Sequence, residues 1–198
     1  MDLILKAAEN VFASMGYGDA TMEEVARACG MAKKSVYRLF PDKSALFRAL
    51  IQSYDSVEGW LEHADNTAGS HEKLRSLLFG LASFILSRRQ VTLTRLVISE
   101  ARKSPELADL FYRECIDRAQ TLVAERLQSV DLFPLHAQED ARKLIVDIFL
   151  GATLGQLHLQ ALILDTDPET LMQQLRIRAD AALAVLLSLR AAALQPAS

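Results

Sequence analysis

At 198 residues the chain is long enough for one large domain or for a small domain joined to a medium one, and with 51% hydrophobic residues it can bury a sizeable core without covalent staples. Its 8 glycines and 5 prolines are few, while leucine, alanine, glutamate, glutamine and arginine dominate, a composition that favours helix throughout. A formal net charge of −3 excludes a protein that coats nucleic acid indiscriminately, yet screening confines each charge to about 10 Å at moderate salt, so a local cationic footprint is allowed.

From Asp2 to Met15 the apolar residues Ile4, Ala7, Ala8, Val11, Phe12 and Met15 recur at helical spacings, which predicts a helix ended by Gly16-Tyr17-Gly18. Thr21-Met22-Glu23-Glu24 has the form of a capping box: the Thr hydroxyl accepts from the Glu24 backbone and the Glu24 carboxylate reaches back. A second helix runs from there to Cys29 and stops at Gly30, and a third spans Lys33 to Phe40. Pro41-Asp42 breaks the third, and Asp42 caps a fourth from Lys43 to about His63. Ala64 to Ser70 is small and polar and reads as a loop. Further helices are expected over 71–89, 91–103, 105–130, 137–164 and 168–194, with Asp131 to Leu135 as the connection before the last pair. Ser104-Pro105-Glu106 and Asp167-Pro168-Glu169 each place a capping side chain before proline at the first helical position. The expected fold class is all-α, about nine helices without a strand.

Several function classes find no footing. Cys29 and Cys115 show no CxxC or Cys/His spacing and read as buried thiols, and His63, His71, His136 and His158 form no HxxxH pair, so neither metal nor cofactor is expected. There is no nucleophile elbow, Gly-rich phosphate loop or defensible carboxylate pair, so an all-helical enzyme or carrier is the weaker alternative. Met1 to Lys6 lack a basic segment followed by a long apolar run, so no secretory leader and a cytoplasmic location are expected. The longest uncharged stretch, Ile148 to Leu164, holds Gln156, His158 and Gln160. It falls short of the roughly 20 apolar residues of a membrane span and reads as a buried helix.

Residues 22–40 combine a small Ala26, a glycine four positions on at Gly30 and a branched Val36 beyond it. A helix-turn-helix needs this set: the small residue lets two helices cross closely, glycine permits a left-handed turn, and the branched residue pins the second helix on the first. Helical geometry puts Val36 and Phe40 inward, Leu39 at the edge, and Lys34, Ser35, Tyr37 and Arg38 outward, a face suited to the major groove. Between Lys33 and Lys43, four cations (Lys33, Lys34, Arg38, Lys43) stand against the single anion Asp42, so positive charge is concentrated here in a chain of net −3.

On these residues the chain resembles the TetR/AcrR family of transcriptional regulators: Ala7-Ala8, Phe12, Gly16-Tyr17, Thr21, Val25-Ala26, Cys29-Gly30, Val36-Tyr37, Phe40, Lys43 and Leu46-Phe47 fall in the family's order. The resemblance implies a DNA-binding domain over 1–46, with phosphate contacts from Thr21, Tyr37 and Lys43 and base-side roles for Lys34, Ser35 and Arg38. It differs from the family in Ala32, where a capping Ser or Thr is usual, in Lys34 for glycine and in Leu39 for histidine. It also implies a ligand-binding and dimerisation domain over 47–198. Arg95 to Glu100 followed by Pro105-Glu106-Leu107-Ala108 and Phe111-Tyr112 resembles the C-terminal domain of one branch of the family.

In that second region, Ile145, Ile148, Phe149, Ala152, Leu159 and Ile163 make an apolar stripe, with Gly151 and Gly155 one turn apart, and Leu175, Leu183, Leu186, Leu187 and Ala191 make another. Two such helices from each of two protomers give a four-helix dimer interface, matching a palindromic double-stranded operator. Trp60, Phe79, Phe84, Phe111, Tyr112 and Cys115 are candidate walls of a pocket for a small hydrophobic ligand, with Arg95, Gln156 or His158 as the polar contact. The expected function is a homodimeric repressor that such a ligand releases from DNA.

Overall fold

A computed structural model describes residues 1–53, 70–128, 144 and 147–193, with side chains described except at 53, 70, 71, 127, 128 and 186–193. All secondary structure in those residues is helical. The helices are α1 (Asp2–Met15), α2 (Met22–Ala28), α3 (Lys33–Leu39), α4 (Lys43–Ser53), α5 (Ser70–Ile85) and α6 (Arg88–Glu100). Next come α7, in which Pro105–Phe111 passes through a π-helical Tyr112–Asp117 into Arg118–Gln128, and α8, in which 147–150 leads through a π-helical Gly151–Gly155 into Gln156–Ile163. The last is α9 (Pro168–Ala193).

The chain divides into two compact units, one of Met1–Ser56 with Thr92–Arg118, the other of Val57–Val91 with Ala119–Ser198. In the first, α1 buries Ile4, Leu5, Ala8 and Phe12, while Met15 is exposed, so Leu5 rather than Met15 completes its inner face. Phe12, Tyr17 and Phe47 form an aromatic triangle with ring centroids 5.4, 6.1 and 5.5 Å apart in tilted and edge-on arrangements. Fully burying a side chain such as Phe12 or Phe47 contributes about 1.5–3 kcal/mol. The same core takes in Leu93, Leu96 and Val97 from α6 and Leu107, Leu110 and Phe111 from α7. Residues 1–46 therefore share their hydrophobic core with segments far along the chain.

The second unit is built on apolar residues of α5, α8 and α9. Leu74, Leu77, Leu78 and Leu81 line α5, Leu154, Leu157 and Ala161 line α8, and Leu171, Leu175, Ala179 and Leu183 recur every fourth residue on α9. An Arg75–Asp180 ion pair joins α5 to α9 at the edge of this core.

Most caps follow the sequence. Asp42 Oδ1 accepts from Ala45 N–H at 2.6 Å, and Asp167 Oδ2 accepts from Glu169 and Thr170 at 3.0 and 3.4 Å. Ser104 departs from expectation: it is buried and its hydroxyl caps nothing, although Pro105 does open α7. The expected helix 91–103 is shifted upstream to Arg88–Glu100. Ser87 Oγ accepts from Gln90 N–H at 3.2 Å and so starts it early, and the Glu100 carbonyl ends it by accepting from Lys103 and Ser104. For the same reason α5 closes at Ile85 rather than at 89, while Ser70, expected in a loop, opens α5. The stretches 54–69 and 129–143, which hold the continuation of α4 and the Asp131–Leu135 connection, lie outside the described residues.

The uncharged stretch from Ile148 to Leu164 is not buried all round: Ile148, Leu159, Ile163 and Leu164 are exposed while Phe149, Leu154, Leu157 and Ala161 are inside. Among the described residues no helix is long and apolar enough to cross a membrane.

Candidate nucleic-acid interface

The interface is assembled from α2, the turn after it and α3. Thr21 and Glu24 close the capping box in both directions: Thr21 Oγ1 accepts from Glu24 N–H at 3.3 Å, and Glu24 Oε2 accepts from Thr21 N–H at 2.8 Å. The Thr21 hydroxyl also donates to Glu24 Oε2 at 2.8 Å. These bonds, the hydroxyl first, hold the Glu24 carboxyl below its usual range. At the other end, Gly30 adopts φ +69°. Its N–H donates to Arg27 O at 3.2 Å and Met31 N–H donates to Ala26 O at 3.0 Å, the bond pair of a Schellman ending that needs a left-handed residue at this site. Ala26 and Val36 are buried against each other's helices, so the small–glycine–branched set does what its spacing requires.

On α3, Val36 is fully buried and Leu39 is 47% exposed. Ala32 stands at the N-cap without a side-chain bond, leaving α3 uncapped as its sequence foretells. Lys34, Tyr37 and Arg38 are exposed at positions i, i+3 and i+4, hence on one face, and Ser35 is half-buried beside them.

The four local cations divide into two kinds. Lys33 makes an ion pair with Glu23 on α2, which lowers the Glu23 pKa and raises that of Lys33, and its ammonium sits 5.5 Å from the Tyr37 ring centroid. Lys43 turns back on the α1–α2 loop, donating to the carbonyls of Tyr17, Gly18 (2.9 Å) and Ala20 (3.0 Å), with its ammonium 4.6 Å from the Tyr17 ring centroid. All three ammonium donors are thereby taken. Of these four, Lys34 and Arg38 are exposed and form no ion pair among the described residues. The phosphate contacts that the resemblance implied for Thr21 and Lys43 thus meet side chains already engaged internally. Glu23 had no sequence signal beyond its place on α2, and Lys43's partners are backbone atoms, which spacing cannot reveal.

The other expected site residues are distributed over both units. Phe111 and Cys115 fill the core of the first unit. Phe84 is in the core of the second, with Phe79 half-buried against it and the Arg75 guanidinium 5.4 Å from the Phe79 ring centroid. Arg95, Tyr112 and Gln156 are exposed, and Trp60 lies outside the described residues. Aromatic residues at helical spacing serve a core as readily as a pocket wall. His158 is half-buried with Nε2 sealed from solvent and without a hydrogen-bond partner among the described residues, and burial lowers its pKa. Of the expected dimer residues, Ile148, Gly151, Ala152, Gly155 and Leu159 are exposed on α8. Leu183 is instead fully buried in its own protomer, because it continues the inward row of Leu171, Leu175 and Ala179. The side chains of Leu186 and Leu187 lie outside the description.

Residues 4–50 match the sequence pattern of the bacterial regulatory proteins of the tetR family, and residues 72–189 match that of the AefR-like transcriptional repressor C-terminal domain. The HTH-type transcriptional activator FasR of Mycolicibacterium smegmatis is 31% identical over 84 residues, covering 41% of this chain and 38% of FasR, so the match spans well under half of that relative. A TetR-family transcriptional regulator from Mesorhizobium loti superposes with a TM-score of 0.74 at 25% identity, over 93% of this chain and 95% of that one. The flavonoid-responsive regulator FrrA superposes with a TM-score of 0.72 at 25% identity, over 100% and 97%. With both halves matched and a helix-turn-helix presenting Lys34, Tyr37 and Arg38, the chain belongs to the TetR family of DNA-binding transcriptional regulators, which are not enzymes.

Proposed function

We propose that the chain is a cytoplasmic, ligand-responsive repressor that binds a palindromic operator as a homodimer and is released by a small hydrophobic molecule. The observation that carries this reading is the α3 face of Lys34, Tyr37 and Arg38, exposed on a correctly closed helix-turn-helix and bearing the local cations free of ion pairs among the described residues. Arg38 and Lys34 are placed to donate to guanine edges or phosphates, and Ser35 and Tyr37 to add hydroxyl contacts. Lys33, Thr21 and Lys43 act one step back, fixing α3 and α2 relative to the preceding loop.

Dimerisation is supported by the row Ile148, Ala152, Leu159 and Ile163, which leaves apolar side chains exposed on α8, with Gly151 and Gly155 allowing close approach. A two-fold pair of this kind presents its recognition helices to successive major grooves about 34 Å apart. Repression is favoured by the AefR-like repressor match over the larger part of the chain. We assign DNA reading to 1–46 and the effector site to 47–198. Phe79, Phe84 and His158, whose Nε2 has no partner among the described residues, belong to the apolar second unit there, and the likeness to FrrA, itself responsive to flavonoids, favours an aromatic effector. Effector binding then shifts the population toward a dimer whose helix spacing no longer fits the operator.

The test is a gel shift of the purified chain on the DNA upstream of its own gene, repeated with hydrophobic compounds including flavonoids. Specific retardation, relieved by at least one compound and mirrored by increased reporter expression, is expected. Retardation equal to that of random duplex would contradict operator recognition, and reporter expression that falls on deleting the gene would contradict repression.

A further inference from the structure

Gly18 lies between two charged side chains that hold its residue from opposite ends. Its N–H donates to Glu100 Oε2 at 2.8 Å across a sequence separation of 82, and its carbonyl accepts from Lys43 Nζ at 2.9 Å. Glu100 is buried, 8% exposed, in a protein where buried acids are rare unless partnered. It fits because two glycines leave it room: a Cβ at Gly16 or Gly18 would stand 3.0 Å from a Glu100 carboxyl oxygen. Gly16 has the further constraint of φ +81°. The turn closes with Ala20 N–H on Gly16 O at 3.2 Å, and the next residue is Thr21, the N-cap of α2. Glu100 is itself fixed, since its carbonyl ends α6 by accepting from Lys103 and Ser104 at 2.9 and 2.8 Å.

We propose that Glu100 is a positioning residue for operator binding: from outside the helix-turn-helix segment, its carboxyl group holds the α1–α2 loop and so sets where α2 begins and where α3 sits against base edges. The proposal rests on the reading that α3 recognises an operator. Glu100 needs no contact with DNA to act. Its carboxyl partner among the described residues is the Gly18 N–H, so an acceptor oxygen at the same place is what the loop requires, whatever its charge.

The experiment starts by selecting duplexes from a randomised pool with the wild-type chain. Affinities for the selected and a scrambled duplex are then measured for wild type, Glu100→Ala, Glu100→Gln and Gly18→Ala, at temperatures where circular dichroism shows each fully folded. Glu100→Ala is expected to lose about tenfold on the selected duplex and little on the scrambled one, as loss of one hydrogen bond to a charged group implies. Glu100→Gln, which keeps an acceptor, should recover most of that loss, and Gly18→Ala, whose Cβ crowds the carboxyl group at 3.0 Å, should lose part of what Glu100→Ala loses. A role in stability alone would leave both duplex affinities unchanged while each variant is fully folded. An unchanged ratio of selected to scrambled affinity in Glu100→Ala, an equal loss on both, or a Gln variant no better than Ala would overturn the proposal. If Glu100→Ala does not fold, Gly18→Ala and Glu100→Gln decide it by the same ratio. A wild type that selects no sequence would overturn the operator reading itself, a result distinct from any of these.

Discussion

Lys43 offers the sharpest separation between a side chain that touches DNA and one that builds the reader. Replacing it by Met keeps the aliphatic stem and removes three bonds, to the carbonyls of Tyr17, Gly18 and Ala20, together with the contact to the Tyr17 ring. A hydrogen bond to a charged group contributes about 1.5–3 kcal/mol where water is excluded. The Lys43 side chain is only half-buried, so water replaces part of this and the three bonds do not add. A loss of about 2 kcal/mol is expected, lowering Tm by roughly 4–8 °C for a chain of this size. The companion assay is the dependence of operator affinity on salt. A phosphate contact would contribute about one unit to the slope of log affinity against log salt, and its removal would flatten the slope by that amount. The internal role predicts a lower Tm with the slope unchanged. An unchanged Tm with a slope reduced by about one unit would refute the reasoning and restore Lys43 to the phosphate backbone.

Other substitutions probe the remaining elements. Gly30→Ala meets no atom within 4 Å of the new Cβ, so its cost is the left-handed backbone alone, about 1–2 kcal/mol, and Gly30→Asn should cost less; equal stability of all three in denaturant titrations would remove the turn argument. Tyr17 is pushed up to about 12, first by burial and then by the Glu106 and Asp42 carboxylates. A group kept neutral in this way stabilises fully below its unfolded value near 10, and the benefit is lost as pH rises from there to about 12, a change of at most about 3 kcal/mol. The stability gap between wild type and Tyr17→Phe should therefore narrow across that alkaline window, and a constant gap would show that the phenol titrates normally. Ile148→Glu with Leu159→Glu places carboxylates on the exposed α8 row and should weaken self-association about a hundredfold in sedimentation, because each would be desolvated at the interface. An unaltered dimer would locate the interface elsewhere.

What the sequence made legible is what short-range chemistry decides. The Thr21–Glu24 box, the glycine turn at Gly30, the Asp42 and Asp167 caps and the outward Lys34, Tyr37 and Arg38 of α3 are local features, and each stands as its spacing implied, while Ser35, also expected outward, is half-buried. Features built by distant partners were not legible. Glu100 on Gly18 of the α1–α2 loop, Gln52 donating to Glu114 at 2.9 Å and Lys33 on Glu23 join different elements, and an isolated Glu or Lys in a sequence announces no partner. The same limit explains why Phe111 and Cys115 went to the core of the first unit and Leu183 to that of the second: periodicity shows that a helix has an apolar face, not which surface covers it. The two π-helical turns had no signal in a pattern built on the α-helical period.

Whether α3 reads sequence through Lys34 and Arg38 is decided by comparing duplexes enriched from a randomised pool by the wild-type chain and by Arg38→Ala and Lys34→Ala. Wild type is expected to enrich a two-fold symmetric site with half-sites about 10 base pairs apart, and Arg38→Ala to relax the preference at a defined base position at a cost of about 1–3 kcal/mol. Enrichment of the same site with the same preference by both variants would contradict sequence reading through these residues.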